Sequence, residues 1–379
     1  MADLLLRGGR VIDPASERDE TADIVFGDER VTEIGRDLRA SGAEIVDVRG
    51  LLVVPGLIDL HTHVYWGGTS LGIDAADVAR RSGTTTFVDA GSAGPGIFHG
   101  FRRHVIEPSP LRIIPFLNVS FPGIFAVSAA VTVGECADLR LLDPRECVRV
   151  IRANRDLIAG VKVRLGRNAG GTSGVAPLDI ALEVAEEAGL PVMAHLDNPP
   201  PSRLEVLARL RRGDILTHCF RPFPNAPATV DGQIHEEVLE ARRRGVIFDI
   251  GHGSGSFGFR TAEAMLAAGF LPDVISSDVH ALSINGPAFD QLVTMSKFVC
   301  LGMELIDVIR ASTAAPAAAL GRTDIGRLEI GAVGDATVLE LGEGQFEYRD
   351  VLGEARDGRQ QFSVRGLVVA GRWWHPARV

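Results

Sequence analysis

Cysteine is scarce in this chain, and long apolar runs and clustered positive charge are missing from it. The four cysteines, at positions 136, 147, 219 and 300, form no CxxC pair and no short secreted framework, which argues against disulfides and leaves the thiols to fill core space. No segment approaches the roughly 18 consecutive apolar residues that a membrane span needs. The opening MADLLLRGGRVID has no basic leader followed by an apolar run of signal-peptide length, so the expected location is the cytoplasm, with no membrane partner. A net charge of -10 with dispersed arginines argues against a nucleic-acid partner, whose phosphates need clustered Lys and Arg. The densest run, Arg242 to Arg244, reads as the solvated end of a helix. Internal repeats and low-complexity tracts are absent as well.

What is present is a globular composition, 46% hydrophobic and 23% charged over 379 residues, which suits one large domain and a smaller one. From about residue 56 to 310, short β-type runs alternate with helical patterns, the signature of a parallel sheet with crossover helices. Eight strands are expected, at 56–61, 84–91, 112–120, 160–165, 190–196, 214–220, 245–251 and 273–278. Helices such as 177–189 and 234–245 lie between them, each closed by a glycine. Eight such units over this length predict an α/β fold of the (β/α)8 TIM-barrel type over 55–321. The flanks, 1–54 and 322–379, are strand-rich without crossover helices, and neither builds a core alone. A small β-sandwich assembled from both termini is the economical expectation.

Six metal-ligand or general-base residues fall at or near the C-terminal ends of these strands, where barrel enzymes place their active sites. His61 and His63 end the first strand two residues apart and so project to one face, where both imidazoles can reach a single metal. Lys162 lies inside an apolar strand, and an unpaired buried ammonium is costly; it needs an acidic partner, a shifted pKa or chemical modification. His195 and His218 each cap an apolar strand, while Cys219 projects away from His218 and makes a poor second ligand. Asp278 ends Val-Ile-Ser-Ser-Asp with a carboxylate suited to metal binding and proton transfer.

The ordered set resembles the amidohydrolase superfamily across essentially the whole chain. It runs from Pro55-Gly56-Leu57-Ile58-Asp59-Leu60-His61-Thr62-His63 through the later Lys, His, His and Asp to Gly326-Arg327-Leu328-Glu329-Ile330-Gly331 and Gly334-Asp335-Ala336. The resemblance implies a cofactor of two divalent metal ions, usually zinc, with Lys162 N6-carboxylated as a carbamate bridging both. It assigns His61, His63 and Asp278 to one ion and His195 and His218 to the other. The mechanism then expected is attack on a carbonyl by a hydroxide shared between the ions, with Asp278 carrying the proton to the leaving group.

Substrate readings rest on departures from relatives. Dihydroorotases typically follow HxH with an arginine, whereas position 65 is Tyr65, and the second strand ends in Asp89-Ala90-Gly91-Ser92-Ala93-Gly94. D-aminoacylases often carry a cysteine near that strand end, and none stands here. Phe248-Asp249-Ile250-Gly251-His252-Gly253-Ser254-Gly255-Ser256-Phe257 and Ser277-Asp278-Val279-His280 instead look like a deacetylase-type subgroup often labelled dihydroorotase. That subgroup is associated with removing acyl groups from α-substituted carboxylates. Arg164, two residues beyond Lys162 on the same strand face, is expected to hold the substrate carboxylate, with Tyr65, His252 and His280 as further substrate contacts or supports of the ligands. The match of Gly253 to Gly258 to a dinucleotide fingerprint is set aside, because Asp273 begins its strand and the unit is seventh in its series.

The competing expectations are a cyclic amidohydrolase of the dihydroorotase or hydantoinase type, a non-catalytic amidohydrolase-like assembly protein, and a binding protein that uses the barrel mouth as a pocket. A homo-oligomer is compatible with all of them. Metal analysis of the purified protein separates the enzyme from the non-catalytic readings. About two divalent ions per chain are expected of the binuclear enzyme, and zero would remove it.

Overall fold

The computed structural model describes residues 2–374. Five strands open the chain: β1 (Ala2–Asp13), β2 (Arg18–Gly27), β3 (Arg30–Gly35), β4 (Glu44–Asp47) and β5 (Leu52–Pro55). Seven parallel strands follow: β6 (Leu57–Thr62), β7 (Thr84–Ala90), β8 (Arg112–Asn118), β9 (Gly160–Leu165), β10 (Val192–Leu196), β11 (Ile215–Leu216) and β12 (Ile247–Phe248). The chain ends in β13 (Ala336–Arg349), β14 (Ala355–Val369) and β15 (Arg372–Trp373).

The parallel strands pair in strict sequence order, each separated from the next by crossover structure. The eighth expected strand, at 273–278, is present as an extended segment that closes the sheet through single bridges. Val274 pairs with Asp249 beyond β12, and Val279 pairs with Thr62 of β6. His63 N donates to Val279 O and Asp278 N to His61 O, so the closing seam runs directly beneath the ligand-type residues. The expected helices form as Ala176–Ala188 and Glu236–Arg244, ended by Gly189 and Gly245 in the left-handed conformation.

Side-chain alternation on the strands separates two cores. Val161, Val163 and Leu165 join the large cluster beneath the helices, so Lys162 and Arg164 face the barrel interior. Ala194 and Leu196 join the same outer cluster, while Met193 joins Ile58, Leu60, Val88, Ala90, Ile114, Phe116 and Ile215 inside. The β6–β7 pairing shifts register between Asp59 and Thr62. That irregularity resets the alternation, allowing Leu60 to fill the interior while its neighbour His61 turns into the site.

The strands from the two termini hydrogen-bond along one continuous eight-stranded sheet, in which β13 lies beside β5 and β4 branches from β1. Its core is separate from the barrel's and draws on both chain ends: Leu4, Leu6, Ile24, Phe26 and Val53 pack with Leu328, Val338 and Val368. The end of the expected terminal segment, 375–379, lies outside the described residues. No helix among the described residues is long and apolar enough to cross a membrane.

One buried cation ties sheet to barrel. Lys297, 1% exposed, places Nζ 2.7 Å from His252 Nε2, 2.8 Å from Pro287 O and 2.7 Å from Arg349 O, three acceptors for its three protons. Burial pushes its pKa down to about 7. Replacing it by Met leaves those acceptors buried and unsatisfied, at about 1–3 kcal/mol each. Lys297→Met is therefore expected to lower the denaturant midpoint clearly at unchanged m-value. An unmoved midpoint would show that the ammonium contributes nothing net.

Candidate metal centre

The residues expected at the strand ends do converge. His61, His218 and Asp278 each present a ligand atom within 4.8 Å of the others. Asp278 Oδ1 lies 3.3 Å from His63 Nε2 and 3.4 Å from His61 Nε2, and Lys162 Nζ lies 3.3 Å from His61 Nε2. His195 Nδ1 and His218 Nε2 are 2.7 Å apart. Two of these residues hold unusual backbone: His218 has φ 65° and Asp278 φ 48°, the left-handed region that a non-glycine residue enters at a cost.

Three of the four rings are fixed from behind by hydrogen bonds, and the fixing decides which nitrogen carries the lone pair. Thr217 Oγ1 donates to Asp249 Oδ2 at 2.7 Å and therefore accepts from His61 Nδ1 at 2.7 Å. Ser92 Oγ relates His63 Nδ1, at 2.9 Å, to Asp89 Oδ2, at 2.8 Å, in the same way. His218 Nδ1 donates to Gly251 O at 2.6 Å. His195 Nε2 faces the Asp197 carboxylate at 3.6 Å, beyond hydrogen-bond length, and the negative charge there favours its proton on that side. The inward lone pairs are thus Nε2 of His61, His63 and His218, and Nδ1 of His195.

Burial holds these imidazoles neutral. His63 is pushed down to about 3, and His61, His195 and His218 lie well below the usual histidine range, with burial the first cause in each case. Two neutral nitrogens aiming lone pairs at each other across 2.7 Å repel unless a cation or proton lies between them. Among the described residues nothing hydrogen-bonds to the buried Asp278 Oδ1, and burial raises its carboxyl to about 6. The donor set is that of a divalent-cation site: converging imidazole lone pairs, a carboxylate oxygen with nothing to accept from, and second-layer acids orienting the rings.

Lys162 is fully buried, and burial lowers its pKa to about 7, so a large fraction of its amine is unprotonated near neutrality. Gly91, at φ 77°, makes room for it. A Cβ there would stand 2.5 Å from Lys162 Cβ, so no other residue fits without displacing the lysine. Gly253 has a similar role opposite, since a Cβ there would meet Asp278 Oδ2 at 2.3 Å. Close approach, not dinucleotide binding, accounts for the first glycine of that run.

A cavity of about 460 Å³ opens above the cluster, lined by His61, His63, His195 and Asp278 at its base. Arg164 and His280 also line it. Arg164, however, is paired with the fully buried Glu135 at 3.2 Å. His280 Nδ1 accepts from Leu282 N at 3.1 Å, which leaves its Nε2 proton free to donate. Tyr65 and His252 lie elsewhere. Tyr65 stacks on Phe101 with ring centroids 4.5 Å apart and turns its hydroxyl to Ile97 O, since Gly68 and Gly100 leave space for the ring on that side. His252 is 0% exposed, stacks on Phe257 and accepts from Lys297, a position that braces the loop after β12 and does not face the cavity.

The sequence reading missed the second layer of Asp59, Asp89, Asp249, Thr217, Ser92 and Ser277. Its signal was present: acids inside or ending apolar strands, of which Asp59 is pushed up to about 8 and Asp249 to about 6 by burial. Glu135 and Arg221 were missed because they sit on loops with no periodic pattern to place them.

A parallel barrel with a histidine and carboxylate cluster at its mouth defines the class, a barrel hydrolase with a candidate metal site. Residues 52–219 and 230–374 match the amidohydrolase family, and the chain belongs to it. A protein of Brucella anthropi named deacetylase is 36% identical over 353 residues, covering 93% of this chain and 87% of that relative. A crystal structure of a dihydroorotase superposes with TM-score 0.91 at 33% identity, over 99% of each chain. One of an adenine deaminase also reaches TM-score 0.91, at 28% identity over 99% of this chain and 100% of that one.

The relay from Asp249 through Thr217 to His61 generates a test. Thr217→Val keeps the shape but removes the acceptor for His61 Nδ1–H, and divalent-metal affinity is expected to fall about 10- to 100-fold in chelator competition. Unchanged affinity would mean that the ring is oriented by packing alone.

Proposed function

We propose that this enzyme removes an acyl group, such as acetyl, from an α-acyloxy or N-acylamino carboxylate. The observation that carries this reading is the convergence of four neutral imidazoles, Lys162 and Asp278 beneath one cavity, in a chain 36% identical to a protein named deacetylase. The residues fit two divalent metals, of which zinc is the expected species. His61, His63 and Asp278 would hold one and His195 and His218 the other, with Lys162 bridging as its N6-carbamate. The low pKa of the Lys162 amine supports that modification, because only the unprotonated amine adds to carbon dioxide. Such ions, when bound, polarise a carbonyl and make a nucleophile available at neutral pH.

The protein's own groups supply the remaining steps. Asp278 accepts the proton released as the acyl carbonyl is attacked and delivers it to the departing oxygen or nitrogen, from a position beside His61 and His63 on the cavity lining. His280 Nε2–H offers a donor toward the cavity from a ring kept neutral by burial, which pushes it to about 4. The cavity lining also includes the apolar side chains of Leu71, Val127, Leu282, Val351 and Leu352.

The cyclic-amide reading has the likeness to the dihydroorotase structure in its favour. Against it, the residue two beyond the HxH pair is Tyr65, packed on Phe101 with no cation to offer a ring carboxylate. A panel of O-acetyl α-hydroxy acids, N-acetyl amino acids and dihydroorotate decides between them. Turnover confined to dihydroorotate would overturn the deacylase reading. Asp278→Asn, compared at equal metal content, is expected to lose about 10²- to 10⁴-fold in kcat, the usual worth of a positioned proton carrier. Retained turnover would remove Asp278 from that role.

A further inference from the structure

The cavity above the cluster contains two arginines, and their circumstances differ. Arg164 already has its anion: Glu135, 0% exposed, lies 3.2 Å from its Nη1, so the pair enters the cavity without net charge. Arg221 is 8% exposed, and among the described residues its side-chain hydrogen bonds are both to neutral backbone carbonyls. Its Nε donates to Pro224 O at 3.1 Å and its Nη1 to Leu196 O. Among the described residues no carboxylate forms an ion pair with it. Asp197 acts on it only through its field and makes no hydrogen bond to it.

A guanidinium has five N–H donors, and two of these bonds clamp Arg221 in one orientation, leaving the Nη2 pair and one Nη1 proton available. A buried cation without an anion is costly, and a planar fork held rigid with free donors matches a carboxylate. Arg221 follows His218 by three residues, in a turn closed by Arg221 N to His218 O at 3.1 Å, so its position is set by the same backbone that sets a candidate ligand.

We infer that Arg221, and not Arg164, is the residue that recognises the substrate carboxylate, and that aliphatic side chains lining the same cavity favour acids with an apolar α-substituent. Leu71, Val127, Leu282, Val351 and Leu352 are those side chains. The assignment rests on the acyl-carboxylate reading of the site, and it deepens that reading by naming the group that separates acids from their neutral analogues. Arg164 then has a positioning role, filling the space beyond Lys162 while Glu135 cancels its charge.

The test compares N-acetylphenylalanine, both enantiomers, with its carboxamide, using calorimetric binding to metal-loaded protein alongside turnover. The wild type is expected to bind the acid about tenfold or more tightly than the amide, the scale of hydrogen bonds to a charged group. Arg221→Gln erases that preference while affinity for the amide changes little; Arg164→Gln keeps it. Arg221→Lys retains the charge without the fork and restores part of the preference, which separates lost recognition from lost folding. A preference that survives Arg221→Gln, or is absent from the wild type, overturns the assignment. Arg221-dependent binding of the acid without its hydrolysis supports the anchor and counts against the deacylase reading.

Discussion

Four imidazoles buried together must all be neutral, and neutrality forces a choice of which nitrogen keeps its proton. Here that choice is made behind the rings, by hydrogen bonds to Thr217 with Asp249, to Ser92 with Asp89 and to the Gly251 carbonyl, and for His195 by the nearby charge of Asp197. Once the outer nitrogens hold protons, the inner ones present only lone pairs, and the cluster is electrostatically unfinished without a cation. Everything near it follows from this. Lys162 loses its proton readily because burial disfavours an ammonium there, and Asp278 holds a carboxylate oxygen with no donor to satisfy it.

The fold creates these conditions at one height of the barrel. Strand alternation aims Lys162 and Arg164 inward on β9, and the register shift on β6 turns His61 into the site directly after the interior Leu60. The closing segment contributes Asp278 through a left-handed residue instead of a regular strand, which explains why the eighth strand exists only as isolated bridges. A continuous ladder would have carried Asp278 on in extended backbone. Strain at Asp278 and His218 is tolerated because hydrogen bonds fix both neighbourhoods, Asp278 N to His61 O across the seam and Cys219 N to Asp249 O beside His218.

Much of this was legible in the sequence, for a physical reason. Parallel strands buried on both faces read as apolar runs, so polar residues at their ends stand out, and His61, His63, Lys162, His195, His218 and Asp278 were recognised that way. Helix ends were legible through Gly189 and Gly245. Tyr65 and His252 misled because proximity to a motif along the chain says nothing of which way a loop side chain turns. Tyr65 found an aromatic partner in Phe101, and His252 a proton donor in Lys297 some 45 residues away. Loop residues such as Glu135 and Arg221 have no period to betray them, and their roles depend on contacts that only the folded chain supplies.

The separation of Arg164 from Arg221 has an electrostatic rationale. An uncompensated guanidinium beside Lys162 would oppose any cation held by the histidines, since unit charges in a poorly screened interior interact over many ångströms. Glu135 removes that opposition at the strand and leaves Arg164 as bulk and hydrogen-bond donor. Arg221 hangs from the loop after β11 instead, restrained by carbonyls that add no negative charge. A cation placed there can attract an acid into the cavity. Asp197, unpaired at Oδ2 and facing His195, lies where it moderates the field of Arg221 on that ring without neutralising the guanidinium. The barrel mouth thereby keeps two opposite demands apart: converging lone pairs at the base that call for a cation, and a guanidinium above them that calls for an anion.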